Sequence, residues 1–192
     1  MLFVSALIVI TDHVSKLMVK GIPAINLKGL LPGENISLVG NLFNITMVEN
    51  PGIAFGINFG SQFKLIISIF TLLASVGLII FFLRIRHKSF GLKISIALIL
   101  GGAVGNLIDR LFYGIFYSYA PLFYGKVVDF FYLRLFNIYL FNNTLGNYIF
   151  NVADLAVTAG MITLMFALKK QSKEKETIEP SVIENLLVKG KE

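Results

Sequence analysis

Cysteine is absent from the chain, which excludes thiol catalysis, disulfides and thiolate metal sites. Histidine is scarce: only His13 and His87 are present and they form no HExxH pattern, so a zinc peptidase site is poorly supported. Charged residues make up only 15% of the sequence. The net charge of +6 comes from dispersed lysines and arginines without an aromatic-interleaved basic stripe, which argues against a nucleic acid partner.

Hydrophobic residues dominate the composition instead. They make up 56% of the chain, and the mean hydropathy of +0.78 exceeds what a soluble core can bury. The clearest apolar run, 65–83, carries no charge and is followed by a basic cluster at 84–88. Together with the runs at about 1–19, 94–108 and 148–168, it predicts four membrane-spanning helices.

The first run is the least regular of the four, because Asp12, His13 and Lys16 interrupt it. A cleaved signal peptide is disfavoured there, since a basic n-region is missing and charged residues stand where a cleavage site would follow. We therefore expect the first run to span the membrane.

Basic residues predict the orientation. They are concentrated between the second and third runs and after the fourth, and the positive-inside rule places both segments, and with them both termini, in the cytoplasm. The sequence thus predicts an all-α integral membrane protein with four transmembrane helices in residues 1–168. It further predicts a small strand-rich extracytoplasmic platform and a polar cytoplasmic tail at 169–192.

The two predicted outer segments, about 20–63 and 110–147, differ in composition. The first contains β-prone residues at 38–48 between Pro-Gly turn signals, which indicates short strands. The second is rich in phenylalanine and tyrosine. Two interpretations of these aromatic residues stay open: anchors at the depth of the lipid headgroups, or a lid that covers a substrate.

All four aspartates of the chain lie in or beside predicted membrane segments. Because a carboxylate at such depth is costly, a functional role is the first hypothesis for each. Several of them share a helix face with another polar side chain three or four residues away. These groups are Asp12 with Lys16, Asn106 with Asp109 and Arg110, and Asn151 with Asp154, while Asp129 stands alone among apolar residues.

Some of these patterns also have purely structural explanations, and one has a catalytic alternative. Asp12 and Lys16 form either an internal ion pair or a contact with substrate, and both stay open. Ser15 and Lys16 are a poor nucleophile and base, because adjacent helical residues point about 100° apart. The glycines at 101, 102 and 105 are expected to be helix-packing positions rather than a phosphate loop.

Five short motifs resemble, in order, the motif regions of the lipoprotein signal peptidase (signal peptidase II) family. The resemblance covers about residues 5–168. The motifs are Asp12-His-Val-Ser-Lys16, Glu49-Asn-Pro-Gly-Ile-Ala-Phe55, Gly101-Gly-Ala-Val-Gly-Asn-Leu-Ile-Asp-Arg110, Val127-Val-Asp-Phe130 and Phe150-Asn-Val-Ala-Asp154.

The resemblance implies a role for each matching residue. Asp129 and Asp154 match the catalytic aspartates of that family. Residues that bind substrate or support the site match Asp12, Lys16, Asn50, Gly52, Asn106, Asp109, Arg110 and Asn151. No metal ligand and no cofactor is implied.

The implied function is that of a membrane aspartic endopeptidase. It would remove signal peptides from diacylglyceryl-modified prolipoproteins by cutting just before the lipidated cysteine. The implied location is the bacterial cytoplasmic (inner) membrane, with the active site near its extracytoplasmic face; membrane lipid is a partner, and no oligomer is implied. The alternative is a small ion-coupled or proton-coupled transporter, because buried acids also mark ion paths.

The chain departs from the family pattern in three respects. His13 stands where glutamine is frequent, and the chain has an insertion between Arg110 and Asp129. The interval from Asp129 to Asp154 is also longer than usual. Both insertions lie outside the motifs, so they affect the expected shape of the outer loops, including the aromatic segment 111–126, more than the chemistry.

Overall fold

Four long helices carry the apolar runs of the sequence. A computed structural model describes residues 1–52, 60–140 and 143–189, with side chains for 1–52, 62–135 and 146–172. Within these residues, four helices are long and apolar enough to cross a membrane. They belong to α1 (Leu2–Lys20), α2 (Gly60–Arg84), α3 (Phe90–Ile108) and α5 (Val152–Lys189), and a short turn, α4 (Gly114–Phe116), precedes α5.

Helix α3 lies at the centre, where it packs against α1, α2 and α5. Helix α1 reverses the pattern of a helix in a soluble protein. Its large apolar side chains, such as Phe3 and Met18, are exposed, whereas Ser5, Asp12 and Lys16 are buried. This distribution fits a lipid environment, in which charged side chains turn toward the interior of the helix bundle.

Glycines on α3 allow the neighbouring helices to approach closely. A Cβ atom at Gly101 would lie 2.9 Å from a side chain of α1, and one at Gly105 would lie 2.8 Å from Oδ2 of Asp12. A Cβ atom at Gly102 would collide with the carbonyl group of Ala153 on α5. The expected packing role of these glycines is confirmed.

The substitution Gly105→Ala is expected to lower the free energy of unfolding by about 1–3 kcal/mol, because the added methyl group overpacks the contact between α3 and the Asp12 carboxylate. Thermal unfolding of the purified protein in detergent measures the change. Gly77→Ala is the matched control, since nothing lies within 4 Å of a Cβ atom at that position of α2. An equal melting temperature for the two variants would contradict this account.

An antiparallel sheet connects the ends of these helices. Strands β3 (Asn35–Val39), β4 (Phe43–Asn50), β5 (Val127–Leu140) and β6 (Asn143–Phe150) are neighbours in that order. A separate pair of two-residue strands, β1 (Gly21–Ile22) and β2 (Leu27–Lys28), follows α1. Because β4 precedes α2, β5 follows α3 and β6 precedes α5, the sheet brings these helix ends together.

The expectation of an all-α fold is wrong, because the four-stranded sheet is a major part of the structure. Strands were expected at 38–48, but β5 and β6 come from 127–150, where the sequence indicated an aromatic loop and the start of the fourth span. Residues 148–150 pair with β5 instead of beginning α5. A run of apolar residues does not by itself distinguish a strand from the first turn of a helix.

The chain beyond the third apolar run also differs from its predicted end at 108. A π-helical turn (Asp109–Tyr113) and α4 continue the helix, and residues 117–126 then lead back to β5. The backbone of 169–189, expected as a polar tail, is helical and continuous with α5. Residues 53–55 of the second motif lie outside the described part of the chain.

Candidate active site

Pairing between β5 and β6 brings the two aspartates of interest to one place. Asp129 is the third residue of β5, and Asp154 lies in the first turn of α5, directly after β6. Because Phe131 pairs with Phe150, the chain returns beside Asp129 just before α5 begins. The Asp129 side chain is buried, with 4% of the residue exposed.

Asn151 connects the two carboxyl groups. Its Nδ2 donates a hydrogen bond to Oδ1 of Asp129 at 2.6 Å. Its Oδ1 accepts the Asp154 N–H at 2.9 Å, while its own N–H donates to Oδ2 of Asp154 at 3.2 Å. The last two bonds form a capping box at the start of α5, so the same motif that begins the helix also orients Asp154.

Asn50 holds the second oxygen of Asp129. Its Nδ2 donates to Oδ2 of Asp129 at 3.1 Å, and its Oδ1 accepts the N–H of Gly52 at 2.9 Å. The turn requires a positive φ at Gly52, which is +92°, a conformation that glycine adopts without strain. Each oxygen of Asp129 thus receives one amide N–H.

Asn106 performs the same function for Asp154. Its Nδ2 donates to Oδ1 of Asp154 at 2.9 Å, and its Oδ1 accepts from Nζ of Lys16 at 3.0 Å and from Nδ2 of Asn151 at 3.2 Å. Arg110 donates from Nη1 to the carbonyl oxygen of Asn106 at 3.1 Å. A cation is therefore present beside the amides that orient the aspartate pair.

A fully buried ion cluster lies behind this pair. Nζ of Lys16 is 2.7 Å from Oδ2 of both Asp12 and Asp109, and all three side chains are 0% exposed. Asp109 accepts the N–H of Val128 at 3.2 Å, and Asp12 accepts the N–H of Ala153 at 2.9 Å. One lysine is thus connected, through two carboxylates, to the residue directly before Asp129 and the residue directly before Asp154.

All ten residues that the sequence indicated for the site lie in one connected network of hydrogen bonds and ion pairs. The open question about Asp12 and Lys16 is answered in part, because the two form an ion pair in the bundle interior. The ten are Asp129, Asp154, Asp12, Lys16, Asn50, Gly52, Asn106, Asp109, Arg110 and Asn151.

Comparison with known proteins identifies the family of this chain. Residues 4–170 match the family model described as signal peptidase (SPase) II. The chain belongs to the signal peptidase II family. As a family member with four apolar helices, it is a peptidase and a multi-pass membrane protein.

Individual relatives cover most of the chain. The lipoprotein signal peptidase of Clostridium novyi (strain NT) is 34% identical over 86% of this chain and 94% of its own length. That of Chlorobium phaeobacteroides (strain BS1) is 33% identical over 84% and 90%. A solved structure of a bacterial membrane enzyme has a TM-score of 0.60 and 29% identity, covering 90% of this chain and 89% of that one.

An open groove of about 300 Å³ lies next to Asp154 in this family member. Its walls are mainly apolar and come from β5, β6 and the first turns of α5. They include Leu133, Tyr148, Phe150, Leu155 and Thr158. A substrate chain placed there would meet one carboxyl group of the pair. In the described part of the chain, no group of three or more histidine, aspartate or glutamate side chains could hold a metal ion.

A second charged cluster in the peptidase was not indicated by the sequence. Glu49 lies between two lysines, with Oε1 2.6 Å from Nζ of Lys20 and Oε2 2.7 Å from Nζ of Lys126. Burial alone would raise the pKa of Glu49, but the hydrogen bonds and charges of Lys126 and Lys20 hold the pKa below its usual value. The signal in the sequence was weak, because the three residues are far apart and only Glu49 belongs to a motif.

Proposed function

We propose that the protein is a membrane aspartic endopeptidase that removes signal peptides from diacylglyceryl-modified prolipoproteins, cutting just before the lipidated cysteine. Asp129 and Asp154 are its catalytic pair. The observation that carries this proposal is Asn151, which is hydrogen-bonded to both carboxyl groups at once. Membership of the signal peptidase II family supports the substrate class.

One proton shared by the two aspartates is central to the mechanism. Burial, and then the nearby charge of Asp154, raise the pKa of Asp129 to about 7. Asp129 therefore keeps its proton below about pH 7 and is then able to donate a hydrogen bond. Asp154, oriented by Asn106 and Asn151, is the carboxylate that takes a proton from water.

The reaction then follows from these protonation states. Water attacks the peptide carbonyl carbon as Asp154 takes its proton, and Asp129 gives its proton to the carbonyl oxygen on which charge develops. The C–N bond of the resulting tetrahedral intermediate breaks when the amine nitrogen receives a proton from Asp154 and Asp129 recovers the proton of the oxygen. Both aspartates return to their starting states, and this sequence requires no cofactor.

The proposed orientation in the bacterial inner membrane places both termini in the cytoplasm and the aspartate pair near the extracytoplasmic face. The basic residues between α2 and α3 support it, because they precede α3, whereas Asn106 contacts Asp154 at the other end of the same helix. A helix of this length spans roughly 28 Å at 1.5 Å per residue. The groove beside Asp154 would then face lipid and the outer surface, where a diacylated substrate resides.

Cleavage of a defined peptide tests the proposed function. The purified protein is incubated with a synthetic peptide that carries a lipobox and a diacylglyceryl cysteine, and mass spectrometry locates the cut. We expect a single new amine terminus at the lipidated cysteine and much slower cleavage of the unlipidated peptide. Absence of cleavage, or a cut at another bond, would remove the basis for this substrate assignment.

The turnover rate is expected to fall as the pH rises through about 7, because the pKa of Asp129 is raised to that value and the neutral acid is the active form. Loss of the proton leaves two carboxylates and no donor for the carbonyl oxygen. The measurement is the profile of kcat with pH, accompanied by melting temperatures as a control for unfolding. A constant kcat from about pH 6 to about pH 9 would show that Asp129 does not supply the proton that the carbonyl oxygen receives.

A further inference from the structure

The pairing of β4 with β5 changes register just before the aspartate site. On one side of the change Ile45 pairs with Phe131, and on the other side Val48 pairs with Asp129. Two residues of β4 therefore lie opposite the single residue Phe130 of β5, which is the pattern of a β-bulge. The part of the β4–β5 pairing beside the site thus has a register that differs from that of the rest of this strand pair.

This local register decides whether Asn50 reaches Asp129. Asn50 pairs with Val127, so its side chain lies on the same face as that of Asp129, two residues further along β5. A slip of one residue would turn one of the two side chains to the opposite face and break the hydrogen bond between them. Because of the bulge, residues 48–50 could slip relative to β5 while the paired residues from Phe43 to Ile45 keep their register.

The charged cluster around Glu49 lies on the other face of the same two strands. Glu49 pairs directly with Val128, and alternation turns its side chain away from that of Asn50. Its carboxylate connects Lys126, the residue before β5, with Lys20, the last residue of α1. The ion pair with Lys126 therefore connects β4 to the beginning of β5 at the residues that a slip would displace, and the ion pair with Lys20 connects β4 to the end of α1.

Tyrosines of the aromatic segment hold the lysines of this cluster. Nζ of Lys20 lies 3.8 Å from the centre of the Tyr117 ring, and the Tyr117 hydroxyl donates to the carbonyl oxygen of Gly21 at 2.8 Å. The Tyr119 hydroxyl accepts the backbone N–H of Lys126 at 2.8 Å. The Lys20 side chain is only 8% exposed, so its charge is shielded from solvent far more than that of a surface ion pair.

We propose that Glu49, Lys126 and Lys20 form a register lock: they are positioning residues that keep the bulged β4 and β5 pair in the register that turns Asn50 toward Asp129. This inference rests on the proposed function, in which Asp129 is catalytic. It also gives the segment 117–126 a role as a fixed support rather than a lid.

Charge removal at the lock is the first test. Glu49→Gln and Lys126→Gln are each expected to lower kcat on the order of tenfold with little change in KM, because small misplacement of a catalytic group affects turnover more than substrate binding. The double variant is expected to lose no more than Glu49→Gln alone, since that variant already breaks the ion pair with Lys126. Lys28→Gln, an exposed lysine of β2, is the matched control.

The second test replaces the lock by a disulfide. Because the chain has no cysteine of its own, the two introduced thiols can pair only with each other within the protein. Glu49→Cys and Val128→Cys together place two thiols on directly paired residues, at a separation that a disulfide spans. The oxidised protein is expected to cleave the lipidated peptide about tenfold faster than the same protein after reduction. The rate of Val128→Cys alone is the reference.

The outcomes separate the lock from the proposed function. If the native protein does not cleave the lipidated peptide, the proposed function itself fails. If the native protein cleaves but Glu49→Gln keeps native kcat, or the oxidised and reduced cysteine pair have equal rates, only the register lock is overturned. Slower turnover in Glu49→Gln together with recovery on oxidation supports it, because a merely structural role would not be rescued by fixing a single strand pair.

Discussion

Asp129→Asn and Asp154→Asn are each expected to lower kcat by roughly 10³-fold or more, with folding and substrate binding retained. The amide has the shape of the carboxyl group but neither donates nor takes the proton that the mechanism transfers. Each carboxyl group accepts two N–H groups, and an asparagine oxygen keeps one of these two hydrogen bonds. The fold of the site should therefore survive while its chemistry is lost.

Single-turnover cleavage of the lipidated peptide measures this loss, and melting temperatures show that the variants are folded. Asp12→Asn is the matched control, because it makes the same chemical change in a buried carboxylate that does not belong to the pair. It should reduce turnover much less, since an asparagine oxygen still accepts the N–H of Ala153. Near-native cleavage by either Asp129→Asn or Asp154→Asn would rule out the two-aspartate mechanism.

Lys16→Met is expected to lower the free energy of unfolding by about 3–5 kcal/mol, the largest stability change that we predict. The lysine is the cation shared by Asp12 and Asp109, and all three side chains are 0% exposed. Methionine fills similar space but leaves two carboxylates buried without a counterion. Thermal unfolding in detergent measures the effect.

A charge-neutral variant checks the reason for this loss. Lys16→Met combined with Asp12→Asn and Asp109→Asn removes all three charges and retains acceptors for the N–H groups of Val128 and Ala153. We expect it to recover most of the stability that Lys16→Met loses, because uncompensated charge accounts for most of the cost of breaking a buried ion pair. A native melting temperature in Lys16→Met would show that the buried cluster contributes little.

Local sequence patterns predicted much of the site. The spacing of Asn151 and Asp154 indicated that the amide and the carboxylate share a helix face, and the structure shows them in a capping box. The spacing of Asp12 and Lys16 likewise indicated that they share a helix face, with an ion pair as one of two interpretations, and the structure shows that ion pair. These features depend on residues three or four apart, so the sequence contains the information directly.

Local sequence patterns could not predict the features that depend on strand pairing. The residues of β5 that pair with β4 lie about 80 residues later in the chain, and the bulge between Ile45 and Val48 arises only when those two strands meet. The role of Glu49 follows from that pairing, as does the position of Lys126. The same limitation caused the wrong all-α expectation, since an apolar run at 148–150 is compatible with either a strand or a helix.

The ion cluster of α1 has a consequence for the assembly of the protein in the membrane. Asp12 reaches Ala153, which is 141 residues later, so the N-terminal helix holds its part of the site only after α5 has been inserted. Until then, Lys16 one turn away neutralises Asp12 within α1 and reduces the cost of placing that helix in lipid. A partly synthesised chain thus contains a self-neutralised first helix and no complete site. If Asp129 and Asp154 are the catalytic pair, as proposed, peptidase activity requires α5, because that helix carries Asp154.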